Sequence, residues 1–485
     1  MTSAHARTTN PWLVLVLVCI AQFMVVLDAT IVNVAMPAIG RDLQLGETDL
    51  QWIVNAYALM FGGFLLLGGR AGDLIGRKKI FLAGVALFTI ASLLNGLATS
   101  SGMLIAFRGL QGLGAALVAP AALSIVTTSF AEGPERTKAM GVWGAIAAGG
   151  GAVGLLLGGI LTDALSWEWI FFINVPVGIA AFLLSLRFVP ESRDEAMHRS
   201  FDLAGAVTVT GGLVALVYAI VQANDAGWTS ATTLGFGALA LVLLGSFFVI
   251  ESRAKAPLVR LSIFRVPTIA AANTSMFLVA AGLFAMFFFS SLYIQQILGY
   301  SPIEAGLAFL PFTAGIVVAA GSAQQLIPRL GVRATSLVGI SIATGGMLWL
   351  STIGPQGSYV ADLLGPILMM SFGMGLTFVP MTLVATSGIE TDDAGLASGL
   401  FNTSQQIGGA LGLAVLTTIA VNVTDANVAA SSSPVERVAA TVDGYSAAFM
   451  TGSAFMVAGA IAIVAILRRR HVEAIDADPA TVPVA

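Results

Sequence analysis

The stretch "GGRAGDLIGRKKIF", residues 68–81, places glycines, one acid and several bases in a short polar turn between two apolar segments. These apolar segments cover residues 51–69 and 79–98. A helix of about 20 apolar residues crosses a hydrocarbon core of roughly 30 Å. The stretch therefore predicts two membrane-spanning helices joined by a tight turn, which glycine permits because it adopts backbone conformations that other residues avoid.

The composition of the whole chain agrees with a membrane protein. Of its 485 residues, 57% are hydrophobic and 10% are charged, and the mean hydropathy is +0.91. Soluble domains contain about 25% charged residues, so a large water-soluble protein is excluded. Segments long enough to span a bilayer as helices cover residues 12–36, 51–69, 79–98, 103–126, 138–162, 168–188, 203–222, 232–250, 268–291, 303–323, 333–353, 360–383, 400–422 and 445–467.

Positive charge is distributed unevenly between the segments that connect these fourteen predicted spans. If the N-terminus lies in the cytoplasm, 19 of the 22 Lys and Arg residues fall on the cytoplasmic side. Arg41 and Arg437 fall outside, and Arg108 lies within a span. Cytoplasmic loops of membrane proteins carry such an excess of Lys and Arg. We therefore predict an all-α polytopic membrane protein with 14 transmembrane helices and both termini in the cytoplasm.

Two charged segments divide the chain into six spans, a central pair and six further spans. The turn "GGRAGDLIGRKK" after span two has a degenerate counterpart, "AQQLIPRLGVR", after span ten. Such an internal repeat suggests two pseudo-symmetric bundles, as many transporters have. The predicted domains are an N-terminal six-helix bundle at residues 1–200, two additional helices with linkers at 201–260, a C-terminal six-helix bundle at 261–467 and a cytoplasmic tail at 468–485.

One acid and one base lie deep within the predicted spans, Asp28 in span one and Arg108 in span four. A charge near the bilayer centre costs about 2.5–3.5 kcal/mol and is expected to face a cavity or a partner. At 100° per residue, Asp28 points roughly 120–140° away from Gln22 and Asn33 on its own helix. This leaves Asp28 free to face span four. For Arg108, a purely structural contact between two helices is the alternative to a functional role.

The fifth span, "GVWGAIAAGGGAVGLLLGGIL", carries Gly150, Gly154 and Gly158 at intervals of four residues. This spacing places small residues on one face of the helix, where a neighbouring helix can approach closely. Faces of this kind are common in membrane proteins. The spacing alone therefore predicts helix packing, whatever else the span does.

The turn at residues 68–81 resembles motif A of the major facilitator superfamily, in which an acid and an arginine form a cytoplasmic latch that stabilises one access state. By this resemblance the latch residues are Gly69, Asp73, Gly76 and Arg77. The stretch around Arg108, "LIAFRGLQGLGAALVAP", resembles motif B of the same superfamily, whose arginine is associated with proton transfer. The resemblance extends over nearly the whole chain and implies a major facilitator fold.

Other stretches resemble the fourteen-helix drug:proton antiporter branch of the superfamily, whose members are multidrug efflux transporters. These are "LDATIVNVAMP" around Asp28, "WEWIFFINVPVG" entering span six and "AGLASGLFNTSQQIGGALGLAV" across span thirteen. The glycines of span five resemble motif C, the antiporter signature, with Gly159 completing its terminal glycine pair. Leu155 stands where that motif has proline. The resemblance implies proton coupling through Asp28 and Arg108.

Several side chains in the spans are candidates for substrate contacts. Methionine is flexible and polarisable, aromatic faces attract cations, and a buried amide needs a hydrogen-bond partner. Some drug antiporters of the branch that this chain resembles have a second acid within span ten and transport dications. The interior of span ten contains no acid here, so the resemblance implies neutral or monocationic substrates. The candidates are Gln111, Phe284, Phe288, Met374, Asn402 and Gln405.

We therefore expect a bacterial plasma-membrane transporter that exports amphipathic small molecules in exchange for protons by alternating access. It needs no cofactor, because the proton gradient supplies the energy and the sequence has no G-x-x-x-x-G-K-[ST] loop. A symporter or uniporter of a small metabolite on the same fold is the alternative. We expect a monomer in the lipid bilayer without a nucleic-acid partner. An enzyme or a metal site is not expected, since the spans lack histidine and Cys19 is the single cysteine.

Overall fold

A computed structural model of the chain shows helices and connecting turns throughout the residues that it describes. These residues are 10–130, 133–192, 202–254, 257–387, 394–429, 431 and 433–473. The first nine residues and the tail beyond 473 lie outside the described residues, as do several of the predicted cytoplasmic charges. The predicted location of the two termini and the domain boundary at residues 200–201 therefore stay predictions.

The helices follow one another in the order that the sequence predicts. The N-terminal unit contains α1 (Pro11–Leu43), α2 (Glu47–Ile75), α3 (Arg77–Gly96), α4 (Ser101–Ser129), α5 (Pro134–Ala164), α6 (Trp169–Phe172) and α7 (Asn174–Phe188). Two helices come next in the chain, α8 (Leu203–Ala226) and α9 (Ala231–Arg253). The C-terminal unit contains α10 (Pro267–Leu292), α11 (Pro302–Ala308), α12 (Leu310–Leu350), α13 (Leu364–Ala385), α14 (Ala394–Ala429) and α15 (Pro434–Ile466).

The continuous helical stretch of α11 and α12, Pro302–Leu350, reverses direction at Gly331, whose backbone is not helical (φ 81°, ψ 160°). A positive φ of this size favours glycine. Before Gly331 the chain runs parallel to α13, and after it the chain runs antiparallel. The contacts that show the reversal are Gly315 with Ser371, Ala319 with Gly375, Gly339 with Thr377 and Gly346 with Pro366.

Thirteen helices in the described part of the chain are long and apolar enough to cross a membrane. One of them, the stretch Pro302–Leu350, contains the two antiparallel segments on either side of Gly331, so two of the predicted spans lie on this one stretch. Each predicted span lies on one of these helices, to within three residues at its ends. Several helices continue well past their spans; α14 covers Ala394–Ala429, for example. The apolar segment predicts only the part of a helix that lies in the bilayer, because polar residues can extend the same helix into water.

The two units meet along α2 and α14. Thr403 of α14 donates a hydrogen bond to the carbonyl of Gly62 on α2 (3.2 Å). A Cβ atom at Gly62 would lie 2.9 Å from the Cβ of Gln406, so glycine is needed for this approach. Helix α8 packs on α2, α14 and α9. The additional helices are therefore attached beside the seam between the two units.

At the end of the bundle that the charge distribution predicts to be extracellular, called here the outer end, hydrogen bonds join the two units. Ser291 donates to the carbonyl of Asn33 (2.6 Å) and Gln295 to that of Val34 (2.8 Å). The hydroxyl of Tyr445 on α15 donates to Glu47 at the start of α2 (2.7 Å). The structure therefore has the outer end closed.

Candidate functional site

An ion pair connects α1 and α4 inside the N-terminal unit. Nη1 of Arg108 lies 2.6 Å from Oδ2 of Asp28, and the two side chains are 1% and 0% exposed. Asp28 lies in the middle of α1, and Arg108 lies two turns after the start of α4, so both side chains are inside the unit. Burying two charges is costly unless their geometry is good and further hydrogen bonds satisfy the remaining atoms.

Two amide side chains supply those further bonds to the carboxylate. Nε2 of Gln111, one turn beyond Arg108 on α4, donates to Oδ1 of Asp28 (2.7 Å). Nδ2 of Asn174, at the start of α7, donates to the same oxygen (3.1 Å). Oε1 of Gln111 in turn accepts from Nη1 of Arg108 (2.7 Å). The ionised carboxylate is thus held from α4 and α7 at once.

A second layer of polar groups orients the two amides. Asn95 on α3 donates to Oε1 of Gln111 (2.8 Å), and Asn174 also donates to the hydroxyl of Ser92 (3.1 Å). The Ser92 hydroxyl donates to the carbonyl of Phe171 (2.8 Å). All of these side chains are buried. Helices α1, α3, α4 and α7 therefore share one polar network, called here the Asp28 network.

The guanidinium of Arg108 has partners from α2 as well. Its Nε donates to the carbonyl of Ile53 (3.1 Å), and its carbon lies 4.3 Å from the centre of the Tyr57 ring. A cation over an aromatic face is attracted to it, more strongly when both are removed from water. Arg108 is the largest fully buried side chain in the described residues. Its charge is compensated by an acid, an amide, a carbonyl and a ring.

The strength of the hydrogen bonds around Asp28 depends on whether its carboxyl group is charged. Three donors from two helices bind the ionised carboxylate, and such charge-assisted hydrogen bonds are about twice as strong as neutral ones. A proton on Asp28 removes the charge and weakens all of these bonds together. The strength of the contacts of α1 with α4 and α7 at this site therefore depends on the charge of Asp28.

The structure brings Asp28 and Arg108 together and places Gln111, a candidate for substrate contact, between them. Sequence reasoning missed Asn174, Asn95 and Ser92. A signal was present, because each is a polar residue in an apolar span and needs a partner there. The sequence could not show that these partners meet on one carboxylate, since this depends on how α3 and α7 pack. The role of the ion pair in proton coupling stays a prediction.

The glycine face of α5 packs against α1 next to the Asp28 network. Hypothetical Cβ atoms at Gly150, Gly154 and Gly158 would meet Val26 (3.0 Å), the carbonyl oxygen of Leu27 (2.8 Å) and that of Ile31 (2.7 Å). Gly159 faces the other unit, where the carbonyl oxygen of Pro302 would lie 2.5 Å from a Cβ. Helix α5 therefore contacts α1 on one face and α11 on the next.

Substituting Gly154 by alanine is expected to displace α1. The added methyl group meets the hydroxyl of Thr30 first and also the carbonyl oxygen of Leu27, the residue before Asp28, and a carbonyl cannot move aside as a side chain can. Overpacking of this kind costs about 1–3 kcal/mol. Gly151→Ala is the matched control, because its nearest neighbour would be 3.9 Å away. Thermal unfolding in detergent should show a lower midpoint for Gly154→Ala alone; equal midpoints for the two variants would contradict the close packing.

The turn at residues 68–81 is centred on Gly76, which lies between the end of α2 and the start of α3 and has a φ of 130°. Asp73 accepts two hydrogen bonds from Arg77 through one oxygen, the shorter of 2.9 Å, and forms a salt bridge with it. The carboxylate of Glu191, after α7, accepts from the backbone nitrogen of Lys78 (3.1 Å). The backbone at Gly69 approaches α4, with Pro120 at 3.4 Å from a hypothetical Cβ atom. The latch role of this turn stays a prediction.

The other candidates for substrate contact are dispersed. Phe288 and Met374 are buried in the C-terminal unit, and the half-buried Phe284 packs near Gly409 at the α10–α14 contact. The exposed side chain of Asn402 donates to the carbonyl of Ser398 on its own helix (3.1 Å), and Gln405 is half-buried. These side chains lie on three different helices, α10, α13 and α14. Their role in binding substrate stays a prediction.

The fold and the buried ion pair define a multi-pass membrane transporter, and comparisons with known proteins agree. The family model of the Major Facilitator Superfamily matches residues 18–413. The chain is 40% identical to the cephamycin export protein CmcT of Amycolatopsis lactamdurans, over 95% of this chain and 93% of that protein. It is also 40% identical to the puromycin resistance protein pur8 of Streptomyces alboniger, over 92% and 90%.

A solved structure of a bacterial homologue of the human lysosomal transporter Spinster, in an inward-facing conformation, has the same fold. It superposes with a TM-score of 0.66 at 17% identity and covers 97% of this chain and 98% of its own. The chain therefore belongs to the Major Facilitator Superfamily and is a multi-pass plasma-membrane transporter.

Proposed function

We propose that this transporter exports antibiotics and other amphipathic small molecules from the cytoplasm in exchange for protons. The relatives that match over nearly the whole chain are named for cephamycin export and puromycin resistance, which supports organic antibiotics as the substrate class. The absence of an acid in the interior of span ten favours neutral or monocationic compounds. The proposed process is alternating access of a substrate site between the two units.

The observation that carries the proposal is the buried pair of Asp28 and Arg108. Its carboxylate can exist in two states, ionised and held by the Asp28 network, or protonated and released from it. In the proposed cycle the proton comes from outside and the substrate from inside, and their binding is mutually exclusive. Each substrate molecule that leaves then requires a proton to enter.

Helix α1 connects the proton site to the closed outer end. The same helix that carries Asp28 also accepts, at Asn33 and Val34, the hydrogen bonds that join the two units. A shift of α1 on protonation reaches these bonds directly. The outer end has to open for substrate to leave, so the position of α1 links proton binding to access in the proposed cycle.

The direction of coupling tests the proposal. Proteoliposomes loaded with ethidium or puromycin and placed in acidic medium should expel the compound faster than the same vesicles without a pH gradient. An uncoupler should remove the difference, and vesicles without protein control for leakage. A symporter, which the Leu155 departure leaves open, would instead accumulate the compound under the same inward proton gradient. Accumulation, or a rate that does not depend on the gradient, would contradict the proposed antiport.

A further inference from the structure

The two additional helices carry buried acids at the end that the charge distribution predicts to be cytoplasmic. Asp202 precedes α8 and is 7% exposed, and Glu251 lies in the last turn of α9 and is 4% exposed. Neither belongs to the Asp28 network. A carboxylate so far removed from water is costly unless a partner compensates its charge. The two acids therefore need an explanation that the transport site does not give.

Each acid uses one oxygen to hold a backbone group. Oδ1 of Asp202 accepts from the nitrogen of Gly205 in the first turn of α8 (2.6 Å), and Oε2 of Glu251 accepts from the nitrogen of Val259 (3.3 Å). The second oxygens, Oδ2 of Asp202 and Oε1 of Glu251, are buried and have no hydrogen-bond partner among the described residues. Two side chains, each more than nine-tenths buried, thus leave an acceptor unsatisfied.

The two unsatisfied oxygens both lie next to Gly205. A Cβ atom built on Gly205 would lie 2.8 Å from Oδ2 of Asp202 and 2.9 Å from Oε1 of Glu251. The two oxygens therefore cannot be more than about 6 Å apart, a distance at which like charges in a buried site repel each other strongly. Paired carboxylates in such positions commonly hold one proton between them.

The charged groups near the pair include Arg70 on α2. Arg70 of α2 is the positive group that acts on Glu251, and Asp202 is the negative one. Nη1 of Arg70 donates to the carbonyl of Pro257 (3.0 Å), while its buried Nε has no partner in the described residues. At this end of the bundle, the other charged side chains on α2, on α9 and on residues 257–265 that the structure describes are Asp73, Arg253, Arg260 and Arg265.

We propose that Asp202 and Glu251 share one proton and form a second proton-binding site, separate from Asp28. Sharing a proton satisfies both orphan oxygens and reduces the charge of the pair from two to one, which Arg70 can then balance. The site lies on the helices that a twelve-helix arrangement would lack. It requires no substrate, so it is independent of the export proposed above.

The shared proton fastens the linker segment, defined here as residues 257–265. Glu251 binds this segment at Val259 and Arg70 binds it at Pro257. Buried apolar side chains of the segment pack in one cluster with residues from both units and from α8; its members include Leu258, Val259, Ile263, Ala206, Ile269, Ala397 and Leu400. As pH rises and the proton leaves, repulsion separates the acids and Arg70 turns towards them. The linker segment then loses both of its polar attachments.

Infrared difference spectroscopy of the full chain in lipid nanodiscs tests the site directly. A protonated carboxyl group has a carbonyl stretch of its own. The measurement is made in an Asp28→Asn background, so that the carboxyl group of Asp28 does not contribute to this signal. We expect one band that titrates with pH and disappears in both Asp202→Asn and Glu251→Gln, because the introduced amide donates the hydrogen bond that the shared proton supplied. Asp163→Asn, which removes an exposed acid of α5, should keep the band.

Retention of the band in both amide variants, or its absence before substitution, would overturn the proposal. Loss in one variant alone would assign the proton to a single acid and would equally contradict sharing. The measurement detects proton binding and does not depend on transport. The proposed proton site can therefore be refuted while the export proposal stands, and the export proposal can be refuted while the proton site stands.

A second measurement follows the linker segment. Leu258→Cys in a Cys19→Ser background puts a single buried thiol on the segment. The rate of maleimide labelling at this cysteine should rise several-fold with pH. The rise should exceed that of a control protein that has the same cysteine and also Glu251→Gln, measured at the same pH values. Equal labelling of the two proteins at every pH would show that the acids do not control the segment.

Discussion

Export of substrate against a concentration gradient is expected to disappear in the Asp28→Asn variant. Asparagine has nearly the same shape as aspartate and can still accept from Gln111, but it neither carries the charge that Arg108 binds nor takes up a proton. One proton that crosses 100 mV gains about 2.3 kcal/mol, which corresponds to about a 50-fold concentration ratio of a neutral substrate. Without a titrating group this ratio should fall to one, while exchange down a gradient continues.

Ethidium transport in inverted membrane vesicles measures this difference. Energised vesicles with the unchanged chain should accumulate ethidium, and those with Asp28→Asn should only equilibrate it. Asp42→Asn is the matched control on the same helix: Asp42 accepts from the indole nitrogen of Trp167 (2.9 Å) and lies outside the Asp28 network. Accumulation by Asp28→Asn at the unsubstituted level would show that the proton is carried elsewhere.

The sequence was sufficient to predict where the membrane helices lie, because apolar length is a local property. It was also sufficient to single out Asp28 and Arg108, since charges within apolar spans are rare and easily counted. The angle between Asp28 and the amides on its own helix left α4 as a direction for the acid. The contact itself, at 2.6 Å, required the structure.

Other features depend on packing that no local pattern encodes. Asn174 begins α7 in a stretch that sequence reasoning treated only as a family signature, yet it donates to Oδ1 of Asp28, whereas Arg108 binds Oδ2. Similarly, Asp202 and Glu251 stand almost fifty positions apart in segments that read as charged linkers. Their carboxylates converge because α8 and α9 form a hairpin and Gly205 leaves space between them. Both the bond from Asn174 to Asp28 and the proximity of Asp202 to Glu251 depend on contacts between segments that are distant in the sequence.

Replacing Arg108 with glutamine is expected to be the most destabilising of the changes considered. The substitution leaves the carboxylate of Asp28 in a buried site with amide donors but no positive charge. Breaking a buried pair by removing one partner costs about 3–5 kcal/mol, because the remaining charge is uncompensated. Arg108 contacts the carbonyl of Ile53, the ring of Tyr57 and the carboxylate of Asp28 at the same time, and the shorter glutamine cannot make all three contacts. Thermal unfolding in detergent should show this as the largest fall in midpoint.

The double variant Asp28→Asn with Arg108→Gln separates charge from shape. With both charges gone, the stability should recover most of the loss, since a neutral pair of similar volume is often as stable as the ion pair. If Arg108 served only to hold two helices together, the double variant would be no more stable than Arg108→Gln. A recovered midpoint without recovered uphill export would instead show that the pair is retained for coupling, because its energetic contribution to folding can be replaced and its response to a proton cannot.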